Sequence, residues 1–488
     1  MTTNMLIPVK SVDGTLLSNE TPSDLAISFL PSRQHCLWEQ ARRAVVHMGW
    51  RCSYRCVFCY GQHSRQEKFC DYEDLLDELQ RLKAYGILDV EFSGGEPTEY
   101  GQLAALIRAA KSMGFRRAAI ISNGMRLSSK TYFKALLKAG LDEVLFSVHG
   151  YSEESHDTIT GIKGSWVNLV KAIQNAIYYG CYLRVNTTVC RFNAEHLEEH
   201  AKVLTDICGN KLRAMNWLPL NYWDDAVDSQ AVDIAPYKYE EHMIKAVHHM
   251  ESHGVPWLAI RYAPFCAFPS LSKYIVGQYQ HIYDPFDWNR EAYTTQDYPL
   301  LDYPYGNFAY EACGKSRKHL YVKPAACLNC KYLYACDGVE KQLVHHGVCP
   351  IKGEYILDVM AERKQDNSAY EALVTPKTIT VAQDFTKYPG GRTPDDGPSS
   401  GEELREKFLL PALRTHDKVN VDLNGTMGYA ASFLDEAFGK LVYKGFSGQE
   451  LRRRLHLVGP DWAIADIWDS VRARDNGGEA LLQLVHRT

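Results

Sequence analysis

Three cysteines, Cys52, Cys56 and Cys59, are spaced C-x3-C-x2-C. Thiolates this close can wrap one face of an iron–sulfur cube and ligate three of its four irons. The fourth iron then has no ligand from the loop, and an open metal position is where a small chelating molecule binds. A CxxC in a loop is also half of a structural zinc site, so this spacing alone leaves both metals open. Further on, Val90-Glu91-Phe92-Ser93 reads as a strand that runs into Gly94-Gly95-Glu96-Pro97, a glycine turn closed by a carboxylate and a proline. A second cysteine group, Cys327, Cys330 and Cys336, is spaced C-x2-C-x5-C.

The elements that must position these groups alternate. Apolar runs at 44–50, 89–93, 118–122, 143–149, 182–189 and 213–218 read as strands. Between them, 71–84, 103–112, 130–139, 166–179 and 195–204 carry helical spacing; Tyr72, Leu75, Leu76, Leu79 and Leu82 recur at three and four. Alternation predicts parallel strands with right-handed crossovers. The fold class is therefore α/β, a partial (β/α)6 barrel, with the chemistry at the carboxyl ends of its strands. Cys52 follows the first strand, Gly94 the second, Asn123 the third and His149 the fourth.

C-x3-C-x2-C followed by a GGEP turn resembles the radical SAM superfamily. The resemblance implies a 4Fe–4S cluster on Cys52, Cys56 and Cys59, with S-adenosylmethionine on the open iron. It assigns Gly94, Gly95, Glu96 and Pro97 to the methionyl amino group, where Glu96 suits a charge-assisted acceptor and glycines let backbone come close to a ligand. Turn capping is the plainer reading of Glu96. Phe58 matches the family's apolar position near the adenine, and core packing is compatible with that. Ser122, Asn123, Ser147 and Asn186 are carried over as polar strand-end residues for the ribose and carboxylate, each also able simply to cap its strand. His149-Gly150, His156-Asp157 and Thr160-Gly161 resemble a stretch that follows this strand in many members. His149 faces either substrate or scaffold.

The second group resembles the auxiliary-cluster extensions called SPASM and twitch. A full SPASM pattern would put a cysteine where Glu340 stands, so one auxiliary 4Fe–4S cluster is expected. Cys327, Cys330 and Cys336 need a fourth ligand. Cys266 is favoured, with Cys313 and Cys349 as alternatives, and zinc is the other metal such a site takes. Cys36, Cys70, Cys181, Cys190 and Cys208 read as small buried hydrophobes. An aromatic, proline-interrupted segment at 279–310 reads as a loop that caps the barrel mouth or packs the extension.

The expected domains are an N-terminal arm at 1–40, the barrel at 41–265, the auxiliary extension at 266–350, a helical linker at 351–376 and a small α/β domain at 377–488. The last resembles the STAS-like family through Asp384-Phe385, Gly390-Gly391-Arg392, Ser400-Gly401-Glu402 and the run from Ser432 to Gly439. Regulatory STAS domains carry a phosphorylatable serine after the aspartate; here Glu436 and Ala437 follow Asp435, which argues against a phosphoswitch. The domain is expected to dock a protein partner, a second copy or substrate, or to be structural.

Composition bounds the rest. Across 488 residues, 54 Lys and Arg face 59 Asp and Glu, a net charge of −5, which gives no electrostatic case for nucleic acid. Arg452-Arg453-Arg454 reads as a solvated helix face. The first residues lack a signal-peptide pattern and no apolar run approaches a membrane span, so a cytoplasmic protein is expected. Cysteines clustered at CxxC spacings favour metal over disulfides.

The resemblance implies an enzyme that reductively cleaves S-adenosylmethionine to a 5′-deoxyadenosyl radical, which takes hydrogen from a small metabolite or natural-product intermediate. A reductant such as flavodoxin or ferredoxin is implied. Two other readings stay open: a maturase acting on a ribosomally made peptide, and a non-catalytic iron–sulfur redox sensor that signals through the STAS-like domain.

Overall fold

The computed structural model describes residues 9–10, 16–17, 43–59, 68–84, 86–220, 234–276, 290–293, 321–333, 336, 338–340, 350–354 and 375–485. The chain forms two compact units. One comprises 1–172 and 184–365, the other 173–183 and 366–488.

The first unit is built on a curled sheet. Its strands are β1 (Arg43–His47), β2 (Asp89–Ser93), β3 (Arg117–Ser122), β4 (Glu143–Ser147), β5 (Tyr182–Val189), β6 (Leu212–Pro219), β7 (Trp257–Arg261), β8 (Ile275–Val276) and β9 (Arg290–Tyr293). They lie in the order 8-7-6-5-4-3-2-1-9. The pairings β1–β2, β2–β3, β3–β4, β6–β7, β7–β8 and β9–β1 are parallel. The expected partial barrel is present, and it extends past the six expected strands. A helix at Glu240–Ser252 delivers β7 beside β6. Within the aromatic segment expected to be a loop, residues 290–293 form the edge strand β9; backbone pairing with β1 overrides the nearby prolines.

Helices between the strands show why they form. In α1 (Tyr72–Ala84), Leu75, Leu79 and Leu82 turn to the core at helical spacing. In α2 (Lys130–Ala139), Ser129 caps the start and Gly140, at φ 108°, ends it. In α3 (Glu153–Thr160), Ser152 and Gly161 do the same.

Charge closes the amino-terminal end of the sheet. Arg43, Arg117 and Glu143 begin their strands and meet Glu91 and Arg184 in one buried cluster. Arg43 grips Glu143 with two hydrogen bonds of 3.0 and 3.1 Å. Burial alone would raise the Glu143 carboxyl, but Arg184, Arg43 and Arg117 hold it well below the usual range. The opposite, carboxyl-terminal rim is left for the cysteine loop.

The second unit carries a three-stranded parallel sheet, β10 (Lys377–Thr380), β11 (Val419–Asp422) and β12 (Leu455–Val458), in that order. Residues 455–458 form a strand because Leu455 closes the core beside Val419 and Val421. The motifs of the STAS-like stretch prove to be packing devices. A Cβ on Gly401 would lie 2.5 Å from the Phe433 carbonyl oxygen, so only glycine lets these segments meet. Ser400 and Glu403 form a capping box. Asp435 is paired with Arg474, and Glu436 with Arg405. The arginine run is not a solvated face throughout. Arg454 is buried, bonded to Glu450 and to the carbonyls of Leu413 and His416, and Arg453 pairs with Asp417; Arg452 is exposed over Trp468.

Cys181, Cys190 and Cys208 are buried as expected, and Cys70 is partly so; Cys36 lies outside the described residues. So do most of the N-terminal arm and residues 355–374 of the linker. Among the described residues no helix is long and apolar enough to cross a membrane.

Candidate active site

The cysteine loop after β1 is pinned from two sides. On one, Gly95 N–H donates to the Gly49 carbonyl at 2.7 Å and Glu96 N–H to the Arg51 carbonyl at 2.8 Å. On the other, Arg55 N–H and Val57 N–H donate to the carbonyls of Thr160 and Ile159, at 2.9 and 3.0 Å. Glu99 adds a third tie, accepting Ser53 N–H at 2.9 Å. The three thiols therefore project from a loop whose intervening backbone is already committed.

The glycines of the turn serve this docking. Gly94 has φ +120°, and a Cβ there would lie 2.2 Å from the Gly49 oxygen; on Gly95 it would lie 1.9 Å from the Arg51 oxygen. Glycine there was expected to let backbone approach a ligand; here its missing Cβ also makes room for the cysteine loop.

Glu96 is a buried hub. Its Oε1 accepts Thr98 N–H at 3.1 Å, the Thr98 hydroxyl at 2.6 Å and the Ser122 hydroxyl at 2.8 Å, and its Oε2 accepts Asn123 N–H at 2.8 Å. Burial pushes its carboxyl up, and these donors pull it back. Glu96 thus caps its turn and ties the end of β2 to the end of β3. Ser122 and Asn123 are brought to it; Ser147 and Asn186 sit half-buried on β4 and β5, where Val148 N–H bonds the Asn186 carbonyl. Pro97 opens a short 3-10 turn.

Two polar atoms here are enclosed without a hydrogen-bond partner, Tyr54 Oη and Asn123 Nδ2. Burial, then the neighbouring Glu96, Cys56 and Cys52, raise the Tyr54 hydroxyl. The Cys52 thiol is pushed up to about 12 by burial and then by Glu96. Unsatisfied donors beside three thiols fit a ligand rich in acceptors, with a cluster that takes the thiols as thiolates. Among the described residues no three His, Cys, Asp or Glu are arranged around a single ion; a cube of four irons is larger and draws its thiolates from farther apart.

The second group also assembles. Cys266, Cys327, Cys330 and Cys336 line one cavity, with Lys323 beside them. Burial, then Cys266, pushes Cys327 up to about 11 and Cys336 up to about 12. Gly338 N–H donates to Cys336 Sγ at 3.3 Å, a contact that favours thiolate. Phe265 stacks on Tyr332 at 4.2 Å and closes one wall. Cys313 and Cys349 lie outside the described residues.

Sequence reasoning did not single out Tyr54, Glu99 or Asn193. Tyr54 hides between two cysteines and Glu99 in an ordinary acidic turn. Asn193 reads as a loop residue, yet its Nδ2 bridges the carbonyls of His149 and Thr188 at 2.8 Å each.

Residues 47–204 match the model of the Radical SAM superfamily, and residues 400–462 that of a STAS-like domain of unknown function. A probable GTP 3′,8-cyclase of Saccharolobus islandicus (strain M.14.25 / Kamchatka #1) is 28% identical over 184 residues, which cover 37% of this chain and 58% of that protein. An S-adenosylmethionine-dependent nucleotide dehydratase of Thermoplasmatales archaeon (strain ISO4-H5) is 30% identical over 151 residues, 31% of this chain and 53% of that one. The chain thus spans little more than half the length of these curated relatives. Among solved structures, Streptococcus suis SuiB bound to S-adenosylmethionine aligns at 16% identity with a TM-score of 0.47, covering 65% of this chain and 77% of SuiB. The fold and the rim site define an α/β protein with a radical SAM domain. Residues 47–204 thus carry a radical SAM domain, and residues 400–462 a STAS-like domain toward the carboxyl end.

Proposed function

We propose that this chain cleaves S-adenosylmethionine reductively and takes a hydrogen atom from a small metabolite or natural-product intermediate. Cys52, Cys56 and Cys59 hold the cluster. Cys266, Cys327, Cys330 and Cys336 hold one auxiliary 4Fe–4S cluster in a SPASM/twitch-like extension. Bound at the rim, the reduced cluster and S-adenosylmethionine supply a 5′-deoxyadenosyl radical.

The chain's own residues position and enclose. Gly94 and Gly95 let the cysteine loop seat on the turn, which fixes where the thiols point. Glu96 locks the ends of β2 and β3 together, so Ser122 and Asn123 present a rigid edge. Tyr54 Oη and Asn123 Nδ2 offer donors to the cofactor's carboxylate and hydroxyls, and Ser147 and Asn186 extend that lining. Tyr54, Glu96 and Asn123 are buried beside the loop, and excluding water there would protect a reactive radical from quenching. An electron carrier such as flavodoxin or ferredoxin supplies the electron, and the STAS-like domain docks a protein partner or a second copy.

The observation that carries this reading is the double pinning of the cysteine loop beside enclosed, unpartnered donors. The test is anaerobic: reconstitute with iron and sulfide, add dithionite and S-adenosylmethionine, and measure 5′-deoxyadenosine. Formation that vanishes in Cys56→Ala supports the proposal. A protein that takes up its iron, reduces, binds S-adenosylmethionine and makes no 5′-deoxyadenosine is a sensor instead.

A further inference from the structure

The four cysteines of the second site share their cavity with a cation. Cys266, Cys327, Cys330 and Cys336 line it, and among the described lining residues Lys323 alone carries a positive charge. Phe265, Leu333 and Val339 give it buried apolar walls. Lys323 stands just ahead of a run of turns. In that run the N–H groups of Cys327, Cys330 and Cys336 donate to the carbonyls of Pro324, Cys327 and Tyr332, at 2.8, 2.9 and 2.9 Å. Lys323 Nζ reaches across the run and donates to the Leu333 carbonyl at 2.6 Å. This hydrogen bond gives the ammonium a fixed place in the wall of the cysteine cavity.

Its field is felt at the sulfurs. Burial, then Cys266, raises the thiols of Cys327 and Cys336, and Lys323 opposes that shift at both. A cube held by four thiolates is an anion, and reduction adds one more negative charge. A fixed cation therefore favours the reduced form over the oxidised one, and more so between apolar walls, where charges are poorly screened. The Gly338 N–H on Cys336 Sγ acts in the same direction. Removal from water acts the other way, because burial disfavours added charge. The lysine thus offsets what the apolar walls impose.

We infer that Lys323 raises the reduction potential of the auxiliary cluster, acting through its charge and not as a ligand. The inference rests on the proposed auxiliary cluster and adds the side chain that sets its potential. With Lys323 in place, the second site is easier to reduce than its apolar enclosure alone would make it.

The test is an anaerobic redox titration of the reconstituted full chain, followed by electron paramagnetic resonance. It is run in a Cys56→Ala background, which silences the first cluster, with iron content and melting temperature alongside. Lys323→Met removes the charge and the hydrogen bond. Lys323→Gln removes the charge and keeps an N–H donor. Lys323→Arg keeps both. The Met and Gln variants are expected to retain the second cube and to be reduced about tenfold less favourably, a midpoint more negative by about 59 mV for one electron. The Arg variant is expected to stay near the parent. A midpoint unmoved in both the Met and the Gln variant, with the cube present, overturns the inference. So does a shift in Met that Gln does not share, which would reduce the lysine to its hydrogen bond with Leu333. Loss of the second cube in all three variants, Arg included, overturns it as well, since charge alone would then not be the role. A parent protein that holds zinc at this site, or never forms the second cube, overturns the auxiliary-cluster reading itself and the inference with it.

Discussion

The Cβ position of Gly95 lies 1.9 Å from the carbonyl oxygen of Arg51. The obstacle is backbone rather than a side-chain end that could swing away. Gly95→Ala should therefore displace the cysteine loop, at a cost of about 1–3 kcal/mol. Expected readouts are a lower iron content at the first cluster and loss of 5′-deoxyadenosine formation, while the auxiliary iron is retained. Full iron and wild-type turnover would show that the loop seats without the glycine.

Glu96→Ala removes the acceptor shared by Thr98, Ser122 and Asn123. Each buried donor left unpaired costs about 1–3 kcal/mol. Denaturant unfolding should show the first unit weakened by several times the loss from a surface Glu→Ala. S-adenosylmethionine affinity should fall as well, because Ser122 and Asn123 lose their tether.

The barrel floor makes a separate claim. Glu143→Ala takes a shared carboxylate from three buried guanidiniums, two of which keep Glu91, and breaking such a cluster costs about 3–5 kcal/mol. Chemical denaturation should show this loss with cluster spectra unchanged in the protein that remains folded. Glu143 is held ionised, with its folded pKa below its unfolded one. Its contribution is thus present above the ordinary carboxylate range and fades as pH falls below it.

The buried histidines predict acid sensitivity near neutrality. Burial lowers His200 to about 4 and His156 to about 3; Asp157 opposes the shift at His156, and His200 adds to it. The unfolded chain binds these protons first, near 6.5. Stability should therefore be full above that value and fall as pH drops from 6.5 toward 4, by up to about 1.4 kcal/mol per pH unit for each histidine. Thermal melts across that range should show the slope, and His200→Phe should flatten part of it. A flat profile would mean that these rings are protonated in the folded state.

Cys327→Ala and Cys266→Ala should each remove about half the iron, one cube of two, and leave uncoupled S-adenosylmethionine cleavage in place. Iron unchanged in Cys266→Ala alone would move the fourth ligand to Cys313 or Cys349.

Much of this was legible in the chain, and for a physical reason. Cluster ligation needs several thiols on one short loop, so local spacing preserves it: Cys52, Cys56 and Cys59 are visible as a set, as are Cys327, Cys330 and Cys336. Parallel βα units announce themselves by local periodicity, which is why six strands could be read and the rim site placed at their ends. The short strands 275–276 and 290–293 carry little pattern of their own, because pairing with a neighbour makes them strands.

What only tertiary structure decided is which distant groups meet. Cys266 joins a cavity with cysteines some sixty residues away. Gly94 and Gly95 are needed by the cysteine loop, Glu96 by β3, and the carbonyls of Ile159 and Thr160 by Arg55 and Val57. The tautomer of His149 is set by the backbone of Thr188. Such relations depend on close approach and desolvation, and neither leaves a period or a spacing in the sequence.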